Sequence, residues 1–513
     1  MKKQILVVIV ICVLISTTVM SQESIVFDKR YTLDYGIGFT DGKQTQDTGY
    51  IAVGYLSQSM VDDSYLIIKT DSIGNMEWYS YFGMQGSRLW GVDIDIDGNY
   101  IAAGANMDNP EWKERAVLIK YDQSGDTIWK KEYISPNTPG ETAFSQTHFN
   151  DLICTKDTAI VAVGGCNYTD GIYHGGSGTD PFVVKTDYNG DTIWTWRAYV
   201  QNDPEYGVSN VVYFSSIAET PEGDYIAVGY SDYPVVLNNK TGPNGGVLAK
   251  FSKNGELLFF KEFHDVAYTI FSDVEVDSQG NIIVFGDKIN YEDEDSLGIE
   301  NGLVVKFDAD GNVLFYRLIS SVKSVVGRAG CVTKNDEILF IGWLIPPDEL
   351  EWFEDTWLVK YSSDGDKTWE KTIGDKNSRN CMFNIEETND YGLIMFGNHY
   401  IGDVGNKAWI VKTDSLGDGV YEQGWQNSIN HIQFISEVNV YPNPASDYVT
   451  IELPDLKTSF DLSIYNMAGQ LVFHNENNDE KCQIFVEAYP EGFYIIKIQS
   501  DKMVYTGKLS VKR

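Results

Sequence analysis

The chain has 513 residues, 43% of them hydrophobic, which is material for about two to four domains of roughly 100–200 residues and excludes a disordered protein. Lys and Arg number 39 against 74 Asp and Glu, and the formal net charge of −35 repels phosphate backbones and anionic headgroups, so nucleic acid is not an expected partner. The counts of Gly (47), Tyr (32), Phe (24) and Trp (12) fit many short strands joined by tight turns, an all-β protein.

Met1-Lys2-Lys3, the apolar run Ile5 to Ile15 and the small residues Val19 and Ser21 read as a secretory signal peptide over 1–21, cleaved after Ser21. The run is shorter than the roughly 18 residues of a spanning helix and nothing later is longer, so no membrane-spanning segment is expected after cleavage. Cys12 lies inside the run rather than at its end, which argues against a lipoprotein. The remaining Cys154, Cys166, Cys331, Cys381 and Cys482 are odd in number and contain no C-x-x-C, so buried thiols are expected rather than a disulfide framework or a zinc site.

From residue 50 one phrase recurs: an apolar strand ending in Gly, a variable segment, an apolar strand ending in Lys, and a D-x-x-G-like turn. The lysines are Lys69, Lys120, Lys185, Lys250, Lys306, Lys360 and Lys412, a mean period of about 57 residues. An aromatic follows the turn glycine by four positions: Trp78, Trp129, Trp194, Phe259, Phe315 or Trp369. Four strand-sized segments per copy, the middle ones apolar on both faces, predict a seven-bladed β-propeller over 22–419. The seventh copy has only Tyr421 at the aromatic position, whereas Ser24 to Tyr31 aligns with Asp126 to Tyr133 and places Phe27 on Trp129. The N-terminal segment is therefore expected to supply the outer strand of the last blade, with Tyr421 as the alternative.

Each repeat lysine precedes its turn glycine by five residues, but the separation from the Gly-ended strand to the lysine varies from 15 to 21. Variable connections thus collect on one face, where ligands are usually bound. The runs Asp93 to Gly98 and Asp308 to Asn312 look like calcium loops but lack the acid that closes such a loop; they are read as turns, no cofactor is expected, and calcium is the alternative. No nucleophile elbow, H-E-x-x-H or phosphate loop is present. Among eight arginines, Arg88, Arg328 and Arg379 lie in links leading into inner strands of blades two, six and seven. They are candidates to hold a carboxylate or sulfate at the channel mouth, against the plainer reading of pairing with local acids. The run Asp122 to Trp129 resembles the tryptophan-docking repeat of quinoprotein propellers and, more loosely, the aspartate box of sialidases, but its spacing departs from both and no two cysteines are adjacent. In those families the equivalent residues lock blades together, which is the role expected here.

Residues 420–436 are polar with interspersed aromatics, a linker, and from Glu437 the chain alternates as a small β-sandwich with turns at Pro442-Asn443-Pro444, Ala468-Gly469 and Glu491-Gly492. Tyr441, Pro442, Asn443, Pro444 and Asp447, then Asn466 and Gly469, then Gly492 and Tyr494, then a basic strand from Lys508, closely resemble the type A C-terminal sorting domain of the type IX (Por) secretion system of Bacteroidetes. The resemblance implies export through the periplasm, recognition of 437–513 by the outer-membrane translocon, and release or surface attachment of the rest. The repeats likewise resemble secreted Bacteroidetes propeller repeats, a likeness of architecture that names no activity. The expected function is a non-enzymatic surface or secreted binding module for an extracellular glycan or protein; the alternative is a propeller glycoside hydrolase or lyase acting on acidic polysaccharide.

Overall fold

The computed structural model describes residues 25–512 except 34–35, 58–62, 84–85, 108–113, 136–145, 170–176, 199–210, 232–244, 264–267, 291–298, 322–323, 346–354, 375–377, 402–404, 420–432, 436–438, 453–459, 467–470, 478–480, 488 and 500–502. The chain divides into two compact units, Met1–Trp425 and Gln426–Arg513. The signal peptide, Tyr421, Gly469 and the variable connections of the propeller lie outside the described residues.

The first unit is built from seven four-stranded sheets. Strand β1 (Phe27–Tyr31) stands apart from its sequence neighbours. Blade one is β2–β5 (Gly36–Gln44, Tyr50–Ser57, Asp63–Thr70, Met76–Phe82) and blade two β6–β9 (Arg88–Ile94, Tyr100–Asn106, Arg115–Tyr121, Thr127–Tyr133). Blade three is β10–β13 (Gln146–Cys154, Ala159–Thr169, Ser177–Asp187, Thr192–Arg197) and blade four β14–β17 (Val212–Glu219, Tyr225–Ser231, Gly245–Phe251, Leu257–Phe263). Blade five is β18–β21 (Tyr268–Val276, Ile282–Asn290, Ile299–Phe307, Val313–Ile319) and blade six β22–β25 (Ser324–Val332, Ile338–Ile345, Asp355–Tyr361, Lys367–Ile373). Blade seven joins β26–β28 (Arg379–Glu387, Leu393–Ile401, Gly405–Thr413) to β1, in the order β1-β28-β27-β26. The first strands β2, β6, β10, β14, β18, β22 and β26 touch in that cyclic order, and β26 returns to β2, so the ring closes as a seven-bladed propeller.

The physical reason is visible in the burial. A blade lies between two others, so its second and third strands must be apolar on both faces, and β7 and β8 are buried at almost every position. Outer strands face solvent on alternate residues, as in β5. Closure repeats one contact seven times: the turn glycine of each blade lies beneath the aromatic of the preceding one. A Cβ at Gly125 would come within 2.8 Å of the Trp78 ring, at Gly255 within 2.7 Å of Trp194, and at Gly74 within 2.7 Å of Phe27. The Trp78, Trp129 and Trp194 indole N–H groups donate to Gln123, Tyr188 and Lys253 carbonyls, each at 3.2 Å. Phe27 pairs with Lys412 as Trp129 pairs with Lys120, so β1 takes the outer-strand position in the expected register. The repeat lysines also tie blades: Lys185 Nζ reaches Asp157 at 2.6 Å, the Tyr225 hydroxyl at 2.8 Å and the Lys253 carbonyl at 3.3 Å.

Two expectations are corrected. The repeat glycine does not end its strand: β3 runs on from Gly54 to Ser57 and β27 from Gly397 to Ile401. Instead it faces a bulge in the inner strand, and a Cβ at Gly54 would sit 2.0 Å from the Gly38 carbonyl oxygen. The predicted linker also contains β29 (Gln433–Ile435), which belongs to the second unit.

That unit is a β-sandwich. Its strands β30 (Asn439–Tyr441), β31 (Tyr448–Glu452), β32 (Phe460–Asn466), β33 (Leu471–Asn477), β34 (Lys481–Phe485), β35 (Gly492–Gln499) and β36 (Met503–Val511) form, with β29, a five-stranded sheet β29-β36-β35-β32-β33 and a three-stranded sheet β30-β31-β34. Val449, Ile451 and Ile484 of the smaller sheet pack with Leu462, Ile464, Ile496, Ile498 and Leu509 of the larger.

Candidate functional site

Every inner strand carries its β-bulge at the same place, beside Thr40, Trp90, Asn150, Ser215, Ser272, Arg328 and Phe383. A bulge leaves one residue out of the pleat and re-aims it. All seven residues line one cavity of about 990 Å³ at the channel mouth, on the side where Ser57 and Ile345, the last residues of β3 and β23, also line it. They form a ring of six neutral side chains and one cation. Each stands 14 positions before its repeat glycine, from Thr40 and Gly54 to Phe383 and Gly397. That constant spacing is the signal by which the sequence announces the ring, but only a bulge gives it meaning.

Above the ring the cavity is walled by Tyr55, Tyr213 and Trp343 and by Arg88, Asp287 and Glu300. The Tyr55 hydroxyl accepts amide hydrogens from Asn398 at 3.2 Å and Asn406 at 2.7 Å, and the Arg88 guanidinium lies 5.8 Å from the Tyr55 ring. Arg328 lies 3.8 Å over the Trp343 ring; that indole donates to the Met382 carbonyl at 2.8 Å and meets Phe383 edge-on at 5.0 Å. Burial and the neighbouring Glu300 push Asp287 up to about 7, burial likewise raises Glu300, and Arg328 opposes both shifts. His148, edge-on to Trp90, is pushed down to about 4 by burial and is neutral at pH 7.

The three arginines differ in depth. Arg328 sits in mid-strand at the ring itself, Arg88 is the first residue of β6 two positions before its ring residue, and Arg379 opens β26 four positions before Phe383. At about 3.3 Å per residue, Arg379 stands some 13 Å along the strand from the ring. Arg88 and Arg328 line the cavity, and Arg379 is outside its lining.

Below the ring the channel continues as a cavity of about 300 Å³ with Asp41, Lys43, Asp151, Asp273, Glu275 and Glu386 in its wall. All of these but Glu275 fasten blades. Asp41 accepts the Val92 N–H at 2.7 Å, Asp151 that of Ile217 at 3.0 Å and Asp273 that of Gly330 at 3.0 Å, while Lys43 pairs with Glu386 at 2.6 Å. The sequence reading missed them because acids are abundant throughout the chain. Among the described residues no group of three or more His, Cys, Asp or Glu is placed to hold a metal ion. The acids of the calcium-like runs make turn bonds: Asp308 Oδ1 accepts from the Asp310 and Asn312 backbones.

In the sandwich, Asn443 acts as a side-chain rung on β36, donating to the Lys508 carbonyl at 2.7 Å and accepting the Ser510 N–H at 2.8 Å. Pro442 and Pro444 flank it, each after a cis peptide bond. The Asp447 carbonyl accepts the Val486 N–H, Asn466 ends β32 opposite Tyr494, and the Tyr494 hydroxyl donates to the Pro490 carbonyl at 2.8 Å. Gly492 opens β35 opposite Val511, and the Lys481 ammonium lies 5.2 Å from the Tyr441 ring.

Comparison with known proteins places names beside this geometry. Residues 439–512 match the secretion system C-terminal sorting domain family. The chain is 29% identical over 158 residues to an ulvan lyase of Nonlabens ulvanivorans, an alignment covering 29% of this chain and 26% of that protein. The chain thus spans about a quarter of the length of the curated relative it matches. Among solved structures, it is similar to a polysaccharide lyase PL25 ulvan lyase bound to -[GlcA(1-4)Rha3S]-, with 11% identity and a TM-score of 0.47 over 75% of this chain and 96% of that one. It is also similar to the β-propeller domain of the Trilobed protease from Pyrococcus furiosus, with 10% identity and a TM-score of 0.38 over 75% and 97%. The chain is a seven-bladed β-propeller followed by a sorting domain of the type IX secretion system, which directs it to the cell surface or the extracellular space.

Proposed function

We propose that the chain is an exported binding module whose channel mouth takes a segment of an extracellular anionic polysaccharide, delivered by an N-terminal signal peptide and the C-terminal sorting domain. The supporting observation is the mouth cavity: about 990 Å³ walled by the aromatics Tyr55, Trp90, Tyr213, Trp343 and Phe383 with the cations Arg88 and Arg328 at two depths. Aromatic rings offer area to the apolar faces of sugars, and guanidinium groups offer paired donors to a carboxylate or sulfate. Against a net charge of −35, a local pair of cations makes the mouth selective rather than generally adhesive. Arg379 then contributes from the rim, outside the cavity.

A second reading is favoured by the 29% identity with an ulvan lyase: cleavage of an acidic polysaccharide at the same mouth. There Arg88 and Arg328 would neutralise a uronate carboxylate, and the Tyr55 hydroxyl, held by two asparagine amides, would stand at the proton-transfer position. One experiment separates the readings. Binding to an array of neutral, uronate and sulfated glycans is measured beside the release of unsaturated or reducing ends from each. Retention of anionic glycans without product supports the binding module, and Arg328→Ala should weaken it by roughly 10- to 100-fold, the worth of a charge-assisted hydrogen bond. Product formation establishes the enzyme, and failure to bind any anionic glycan refutes both.

A further inference from the structure

The seven-fold ring shows where the mouth departs from its own symmetry. Position for position, Thr40, Trp90, Asn150, Ser215, Ser272 and Phe383 are neutral, and Arg328 alone is charged. The departure is local and concerted. Arg328 is stacked at 3.8 Å on Trp343, which is itself held by a hydrogen bond and an edge contact to blade seven, so its guanidinium has a defined place at the cavity wall. The neighbouring blade five presents two carboxyl groups to the same cavity. Asp287 on β19 pairs with Gly302 and Ile289 pairs with Glu300, so Asp287 and Glu300 lie two positions apart on one face of the β19–β20 ladder. Asp287 is only 4% exposed.

We propose that Asp287 and Glu300 form a proton gate on Arg328, so that the mouth takes up a proton as it takes a uronate or sulfate group and releases that anion as the pH rises. The inference rests on the anion-binding reading above and adds its regulation. An incoming anion places a further negative charge beside two carboxyl groups that line the same cavity and already draw on the charge of Arg328. With Asp287 buried, the three cannot all be ionised without strong repulsion. The charged groups facing Asp287 are Glu300 from β20 and Arg328 from β22; β18 presents Ile270 and Ser272 and β23 presents Trp343, none of which titrates near neutrality. With burial and Glu300 holding Asp287 at about 7, the gate is half-closed at neutral pH. Bound anion raises that value further, so binding draws a proton from solution. The sign follows from linkage: affinity is highest where Asp287 is protonated in the empty site and falls as it ionises, by up to about tenfold per pH unit for one proton.

The test is isothermal titration of the full mature chain with tetragalacturonate and, separately, inorganic sulfate, from about pH 5.5 to 8.5, in two buffers of different ionisation enthalpy that count protons. Either probe is expected to bind more weakly above about pH 7, with uptake approaching one proton per anion near that pH. Tetragalacturonate binding alone assigns the site to a uronate, and binding of both assigns it to anions generally. Asp287→Asn, a neutral mimic of the protonated gate, should keep low-pH affinity up to pH 8.5 and lose most of the proton uptake. Arg328→Gln should weaken binding at every pH by roughly 10- to 100-fold with an unchanged melting temperature, which shows that the loss is not unfolding. Binding that is independent of pH, with no proton uptake, overturns the gate and leaves the site standing. Absence of binding by either probe at every pH overturns the site and the gate with it.

Discussion

At the scale of a residue, Gly255 carries two constraints at once. Its φ of +86° is in the left-handed region, and a Cβ there would stand 2.7 Å from the Trp194 ring of the preceding blade. Gly255→Ala is therefore expected to cost about 1–2 kcal/mol for the backbone and a further ~1–3 kcal/mol for overpacking. Urea unfolding of Gly255→Ala, Trp194→Ala and the double variant checks this. The double variant should lose less than the sum, because removing the ring relieves the clash and leaves the backbone term. Strict additivity would show that the two residues do not press on each other. The spacing of Lys250, Gly255 and Phe259 is legible in the chain because those residues share one hairpin. The pairing of Gly255 with Trp194 is not, because the partner lies about 60 residues away in the preceding repeat.

At the scale of an element, β1 decides whether the ring is a ring. Its residues reproduce blade two one for one: the Tyr31 hydroxyl donates to the Gly74 carbonyl at 2.7 Å as Tyr133 donates to Gly190 at 2.8 Å, and Lys29 reaches Asn75 as Lys131 reaches Asp191. The alignment of Ser24 to Tyr31 with Asp126 to Tyr133 predicts this strand, since seven copies demand seven outer strands. Removing Phe27–Tyr31 leaves the outer edge of β28 unpaired and uncovers Phe39 and Tyr50, which pack in the same cluster. The truncated protein should melt well below the intact one and self-associate through the bare edge. Calorimetry with size-exclusion chromatography reads both effects; an unchanged melting curve would mean that another segment completes blade seven.

At the scale of the whole molecule, two populations of carboxyl groups pull stability in opposite directions with pH. In the channel, burial first and neighbouring carboxylates second raise Asp151 to about 7 and Glu275 to about 8, and burial also raises Asp41 and Asp273. Ser216 Oγ lies 2.9 Å from Asp151 and 2.8 Å from Asp273, and its single hydroxyl hydrogen can serve only one of the two carboxylates at a time. Groups raised on folding favour the fold fully below their unfolded values, and the benefit is lost as pH climbs through about 7 to 8. In the turns, backbone N–H groups hold Asp187 and Asp308 below the usual carboxylate range, so their contribution is present above about pH 4 and lost as pH falls through their folded values. The melting temperature should therefore peak between about pH 4 and 6 and decline toward pH 8.5. A maximum above pH 8 would contradict the shifts assigned to the channel.

The sequence by itself determined the number of blades, the order of their strands, the closing role of the N-terminal strand and the sorting domain, because each is written in periodicities and phrases a few residues long. Arg328 and Arg88 were legible as candidates, since arginine is scarce in an acidic chain. Tertiary structure alone decided that Arg379 stands off from the cavity, that Arg328 sits at the ring, and that Asp287 and Glu300 stand beside it. The reason is the bulge. One extra residue in each inner strand shifts the following side chains from one face of the sheet to the other, and the strand pattern does not reveal which residue that is. Only the ring, which brings together residues about 57 positions apart in sequence, then determines which of those re-aimed side chains share a cavity.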